Sequence, residues 1–214
     1  VPKPQAVAGL LLQRAADKGA ERHARHFQRV LEGEKDAAFS ALIDRQGGDV
    51  LAVKYDAAAR HGVDRIAGCV GGAFLFPGRE LLVIDSGTAI TYDFVSADGE
   101  FRGGNISPGL GIRFRALNEF TASLPLVKCS MEHGYIGKNT HDAILNGVMN
   151  GILFEVRGYI DELLRNNPQA AVIITGGGSE YLRKTLKRTV FFEDKLVITG
   201  LNRILEYQKT VNYT

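Results

Sequence analysis

Cysteine is scarce in this chain. Only Cys69 and Cys129 occur among 214 residues, with no C-x-x-C pattern. Neither a disulfide framework nor a zinc knuckle is implied, and each thiol reads as a small buried apolar residue. Net charge is nearly absent too. The 26 basic and 24 acidic side chains leave a formal +2, no field that would by itself recruit nucleic acid or an anionic membrane. Long apolar runs are missing: nothing approaches the roughly 18 to 20 uncharged residues of a membrane span. The start, Val1-Pro2-Lys3-Pro4, lacks the charged and apolar regions of a secretory signal, and its first residue reads as that of a chain cut, processed or incompletely specified. No internal repeat or low-complexity tract is evident. What remains is a globular composition, 45% apolar and 23% charged, with enough chain for a real core and an expected cytoplasmic location.

From Leu10 to Leu31 the apolar positions Leu12, Ala16, Ala20, Ala24, Phe27 and Leu31 recur every three or four residues, one face of a helix. Arg14, Lys18, Arg22, Arg25 and Arg29 run opposite. They read as a solvated face first and as a phosphate or nucleic-acid contact second. Ala37 to Ile43 reads as a short helix, Val50 to Tyr55 as a short strand, and the stretch after Asp64 as helical. Pro77-Gly78 is a turn and the expected boundary between a lobe over residues 1–78 and one over 79–214.

Beyond it the pattern sharpens. Leu81-Leu82-Val83-Ile84 is a continuous apolar run, as in a strand covered on both faces. Ile90, Tyr92 and Phe94 alternate with Ala89, Thr91, Asp93 and Val95, and Asp98-Gly99 turns into Phe101 to Ile106. Helices are expected at Gly111 to Phe120 and at Thr140 to Asn166, the latter with Ile144, Val148, Ile152, Glu155, Tyr159 and Leu163 on one face. A buried strand follows at Ala171 to Thr175, a helix at Ser179 to Arg188, a strand at Leu196 to Thr199 and a closing helix at Asn202 to Gln208. Strand, strand, strand, helix, strand, helix, strand, helix is the order of a ribonuclease-H-like α/β unit, in which ligands sit at strand ends.

Four segments can carry chemistry. In Val83-Ile84-Asp85-Ser86-Gly87-Thr88 a carboxylate ends a buried strand before a glycine turn and a hydroxyl, so that Asp85 can hold a cation while Gly87 and Thr88 meet phosphate. A hairpin turn without a ligand would look alike. Gly103-Gly104-Asn105-Ile106-Ser107-Pro108-Gly109 leads into a helix and offers loop amides to an anion, or is only a strand-to-helix turn. Ile174-Thr175-Gly176-Gly177-Gly178-Ser179 delivers glycines to a helix start, where backbone can approach a ring or phosphate, or forms a loose turn. Gly62-Val63-Asp64-Arg65 sets a carboxylate beside a guanidinium. A kinase acting on an alcohol needs such an Asp to take the hydroxyl proton, and Arg suits an anionic substrate. A helix cap with a salt bridge is the other reading.

Taken together, these residues resemble the type III pantothenate kinases, within the superfamily of acetate and sugar kinases, heat-shock chaperones and actin. The resemblance runs from about Val50 to Tyr207. It includes Tyr55 ahead of Gly62-Val63-Asp64-Arg65, Leu82 through Asp93, Gly103 through Gly109, Glu119-Phe120-Thr121-Ala122-Ser123-Leu124-Pro125, Asn139-Thr140 and Thr175-Gly176-Gly177. It implies an actin-like fold and ATP-dependent phosphorylation of pantothenate, the first step towards coenzyme A. Asp64 would be the proton acceptor. Tyr55, Gly62, Val63, Asp64, Arg65 and Thr140 would contact pantothenate. Gly87, Thr88, Gly104, Gly176 and Gly177 would line the ATP site. Asp85 would bind a monovalent cation, K⁺ or NH₄⁺, with Mg²⁺ as further cofactor. A homodimer is implied, with the helix from Thr140 to Asn166 and its Met149, Ile152, Leu153, Phe154 and Val156 at the interface; no membrane or nucleic-acid partner is.

The sequence departs from the family in two places. Val63 stands where a smaller residue is usual. The family's opening Asp-x-Gly-Asn-Thr phosphate loop is not matched before Val50, the nearest string being Leu42-Ile43-Asp44-Arg45-Gln46-Gly47. A reduced N-terminal lobe, weak ATP binding and little phosphoryl transfer are therefore expected of these residues. The alternative function is a non-catalytic or truncated relative that binds pantothenate without efficient transfer.

Overall fold

The computed structural model describes residues 62–211. The helices expected at Leu10–Leu31 and Ala37–Ile43, the strand at Val50–Tyr55, the basic stripe and Tyr55 lie outside the described residues. The elements in chain order are α1 (Val63–Leu75), β1 (Leu81–Ser86), β2 (Ala89–Val95), β3 (Phe101–Pro108), α2 (Leu110–Glu119), α3 (Thr140–Asn166), β4 (Ala171–Thr175), α4 (Ser179–Thr185), β5 (Phe191–Phe192) and α5 (Leu196–Val211).

The strands form one sheet in the order β3-β2-β1-β4-β5. β1 pairs antiparallel with β2 and β2 with β3, while β1 and β4, and β4 and β5, run parallel. This is the ribonuclease-H-like arrangement that the element order implies. The apolar run of β1 is explained by its central place, since its two sets of side chains serve two cores. Leu82 and Ile84 join Ile90, Tyr92, Phe114, Val148 and Ile152 beneath α2, α3 and α4. Leu81 and Val83 join Ile66, Val70, Leu196 and Ile204 beneath α1 and α5. The sheet thus has an α3 face and an α1 face. α1 precedes the Pro77-Gly78 turn, where Gly78 takes φ of 71°, yet it packs into the core of the C-terminal sheet.

Four readings need correction. Leu196 to Thr199 is the first turn of α5, not a strand. Its β-branched residues favour extended backbone locally, but Leu196, Gly200, Leu201, Ile204 and Leu205 are buried at helical spacing against α1. The edge position belongs instead to Phe191-Phe192, paired with Ile173 and Ile174. The helix expected to Arg188 stops at Thr185, where Leu186 turns extended. Cys129 is exposed, whereas Cys69 is buried as expected. Finally, Met149, Ile152, Leu153 and Val156 are core residues of α3, leaving Phe154 as the exposed member of the set expected at an interface. A helix lying across the sheet for its whole length uses more than one stripe for the core.

Candidate active site

Asp64 and Arg65 sit in the first turn of α1. Gly62 precedes the helix, and its carbonyl accepts from the backbone N–H groups of Arg65 (3.1 Å) and Ile66 (3.2 Å). Asp64 Oδ1 accepts from the Arg65 N–H at 3.0 Å, which holds an exposed carboxylate at the positive end of the helix. A Cβ at Gly62 would stand 2.6 Å from that same oxygen. The Arg65 side chain turns to the sheet rather than to Asp64. Its Nε donates to Asp93 Oδ1 at 2.9 Å, and one terminal nitrogen donates to the same oxygen. Asp93 is 1% exposed. Burial pushes its carboxyl above the ordinary carboxylate range, and the Arg65 bond and charge oppose this without cancelling it.

Gly104 belongs to this cluster. It lies within β3, not in a loop, in register with Asp93. A Cβ there would meet the Tyr92 carbonyl at 2.3 Å, Asp93 Oδ1 at 2.5 Å and a terminal nitrogen of Arg65 at 2.7 Å. The run Gly103 to Pro108 is strand, and the turn into α2 is confined to Gly109.

The other glycines gather at the ends of β1 and β4. Asp85 is in register with Thr175. Gly176, at φ 91°, passes so close to the Asp85 carboxylate that a Cβ would lie 2.2 Å from its Oδ1. The Gly178 N–H donates to the Ser86 carbonyl at 2.6 Å, which ties the start of α4 to the end of β1. On the other side the Gly109 N–H donates to the Thr88 carbonyl at 3.0 Å, and its missing Cβ would strike the carbonyls of Gly87 and Thr88. Gly87 is half-buried, and Thr88 and Gly177 are exposed at this edge. Asp85, two residues beyond Val83, and Asp93, the register partner of Val83, both stand on the α1 face, so the two carboxylates and the Gly176 turn that touches Asp85 share one side of the sheet.

Thr140 lies on the opposite face. It opens α3, whose N-terminus is capped by Asn139 Oδ1 accepting from the Asp142 N–H at 2.9 Å. A groove of about 1000 Å³ beside it is lined by Pro108, Arg113, Leu117, Phe120, Lys138 and Gly147 among others. The structure therefore gathers Gly62, Asp64, Arg65, Asp85, Gly104 and Gly176 on one face and puts Thr140 on the other.

Some polar residues escape a sequence reading. Glu155 stands on the apolar stripe of α3, and the structure supplies the reason. It accepts from Tyr92 (2.8 Å), Ser107 and Arg113, and Arg113 Nε donates to the Pro108 carbonyl at 2.7 Å. Burial raises the Glu155 carboxyl, but these donors outweigh it and hold the group below its ordinary value. The one visible signal was a carboxylate in an apolar row. Asp93 gave an equivalent signal, an acid alternating with buried residues of a strand.

Comparison with known proteins identifies the family. The family model described as type III pantothenate kinase matches residues 24–162. The type III pantothenate kinase of Phocaeicola vulgatus is 48% identical over 146 residues, covering 68% of this chain and 60% of that protein. That of Porphyromonas gingivalis is 45% identical over 174 residues, covering 80% and 71%. The matched regions thus span 60% to 71% of those relatives' lengths. A Campylobacter jejuni crystal structure assigned to the Baf family of transcriptional activators superposes with a TM-score of 0.57 at 20% identity, covering 86% of this chain and 79% of that one, and shows the same fold. With the family match extending from before α1 through most of α3, across the strands that hold Asp85 and Asp93, the chain belongs to the type III pantothenate kinase family.

Proposed function

We propose that the protein phosphorylates pantothenate with ATP at its primary hydroxyl, the first step towards coenzyme A. The observation that carries this reading is the pairing of an exposed Asp64 with an Arg65 locked on Asp93, on the same sheet face as Asp85 and the Gly176 turn. Arg65 draws in the substrate carboxylate. Asp64 accepts the hydroxyl proton as the hydroxyl oxygen bonds to the γ-phosphorus and the bond to the β–γ bridging oxygen breaks, releasing ADP. Gly87, Thr88 and Gly177, at the exposed strand ends, are the proposed nucleotide contacts.

Asp85 suits a monovalent cation, since a carboxylate backed closely by the Gly176 and Ser86 backbone offers hard oxygen donors. No group of three His, Cys, Asp or Glu side chains able to hold a metal occurs among the described residues, so no residue is assigned to Mg²⁺. When bound, the cations neutralise charge on the phosphates. Gly104 we assign to the substrate side, because its neighbours are Arg65 and Asp93.

Thr140 and Asp64 stand on opposite faces of one sheet, so Thr140 would meet pantothenate only in the site of a second copy. A homodimer follows from that reading, and exposed Tyr135, Ile136 and Phe154 offer apolar surface near α3 for it. A monomeric mass by light scattering at micromolar concentration would refute the dimer. The activity is tested by pantothenate-dependent ADP release from the whole protein. Asp64→Asn is expected to lower turnover about 10² to 10⁴-fold with pantothenate affinity within a few fold, and unchanged turnover would remove Asp64 from the mechanism.

A further inference from the structure

We propose that Asp93 is a positioning residue that fixes the guanidinium of Arg65 before substrate arrives, and that Gly104 is the empty place in β3 that admits it. The inference rests on the reading of Arg65 as the residue that binds the pantothenate carboxylate.

The geometry is directional. Arg65 spends its Nε and one terminal nitrogen on a single Asp93 oxygen. Among the described residues, its other terminal nitrogen has no hydrogen-bond partner. A guanidinium so held keeps its far edge, made of the two terminal nitrogens, for a planar anion, which a carboxylate matches with two parallel bonds. The pair is nearly out of water, with side chains 12% and 1% exposed for Arg65 and Asp93. The fork therefore cannot swing away without leaving a buried carboxylate unpaired.

The arrangement is not explained by stability alone. Burial raises the Asp93 carboxyl even with Arg65 upon it, so the charged form is held there at a cost. A strand glycine also costs stability relative to residues with side chains, and here any side chain would collide with the backbone of Tyr92 and with both members of the pair. Two unfavourable choices made side by side, to keep one arginine in one orientation, are what preorganisation of a binding group requires.

Asp93→Asn keeps the shape and one acceptor while removing the charge that fixes Arg65. Calorimetric titration of the whole protein is expected to show pantothenate affinity about ten to a hundred times weaker in this variant. KM for ATP should stay within about twofold, while the melting temperature falls by several degrees because the Arg65 guanidinium loses its buried counter-charge. Panthenol, which replaces the carboxylate with an alcohol, should bind wild type and variant alike. A purely structural role would instead weaken pantothenate and panthenol together. Equal pantothenate affinity in wild type and variant would overturn the positioning role alone, whereas a wild type that binds no pantothenate would overturn the functional reading beneath it. If Asp93→Asn does not fold, the wild type decides by NMR: the Arg65 Nε–H is expected to be protected from exchange in the free protein and to stay so with pantothenate. Free exchange before pantothenate is added would refute the proposal.

Discussion

Helix propensity and packing make opposite forecasts for Gly200→Ala, and magnitudes decide between them. Gly200 lies inside α5, where alanine is intrinsically better by up to about 1 kcal/mol. At this position α5 touches α1 backbone to backbone: an added Cβ would stand 1.8 Å from the Ala67 carbonyl oxygen and 2.9 Å from the Gly71 nitrogen. Across the same crossing, a Cβ on Gly71 would stand 2.4 Å from the Leu196 carbonyl. No rotamer can relieve a collision with main chain, so the helices must part by more than an ångström and loosen Ile66, Val70, Leu201 and Ile204 in the core between them. Overpacking of this kind costs about 3 kcal/mol at the upper end of its ordinary range. The net expectation is a loss of about 2 kcal/mol, or roughly 4 to 8 °C in melting temperature for a chain of this size. Gly158→Ala in α3 is the matched control, because that glycine is exposed and nothing lies within 4 Å of its added Cβ; it should be neutral to about 1 kcal/mol stabilising. Thermal and urea unfolding of both variants measure the difference. A Gly200→Ala variant as stable as Gly158→Ala would refute the backbone-contact argument and the close approach of α1 to α5.

Glu155→Gln removes a charge that three donors hold, and is expected to cost about 1.5 to 3 kcal/mol at neutral pH. Because these donors lower the folded Glu155 value, the stabilisation is full above the ordinary glutamate range and is lost as pH falls through that lower value; urea midpoints of variant and wild type should therefore converge on acidification, and a gap that does not narrow as the pH falls would contradict the network. Gly176→Ala combines strain at φ 91° with a Cβ pressed on Asp85. It should cost about 1 to 3 kcal/mol and weaken any monovalent-cation activation, and an alanine variant with normal stability and normal cation response would remove the cradle from the site. Ile160→Ala empties a fully buried position beneath α3 and should lower unfolding free energy by about 2 to 5 kcal/mol in chemical denaturation, with a loss under 1 kcal/mol counting against that core.

Local pattern carried far where one physical requirement acts alone. The bounds of α3 could be read at both ends, since Asn139 offers an N-cap oxygen and Pro168 follows its last residues. β1 and β4 were legible because strands buried on both faces admit only apolar side chains. Reading failed where a residue answers to a partner far along the chain. Leu196 to Thr199 has the side chains of a strand, but its fate is set by the glycine contact between α5 and α1, which no local window contains. Gly104 looked like a phosphate-loop glycine for the same reason, because its neighbour is an ion pair between residues 28 positions apart.

The site makes one use of glycine that differs from the flexible turn a sequence suggests. Asp64, Asp85 and Asp93 each have a carboxylate oxygen within 2.6 Å of where a glycine's Cβ would be, at Gly62, Gly176 and Gly104 respectively. Only Gly176 among these glycines needs a left-handed backbone; Gly104 is crowded by the Tyr92 carbonyl, whereas Gly62 meets only side-chain atoms of the exposed Asp64 and of Arg65. The buried Asp93 carboxylate, pressed against bare main chain, loses the water that a looser wall would admit. Its charge is thereby directed to the Arg65 fork. Gly104, which suggested a nucleotide cradle in the sequence, thus leaves room for the Asp93–Arg65 pair, and a side chain there would press on the Tyr92 carbonyl as well as on both members of that pair.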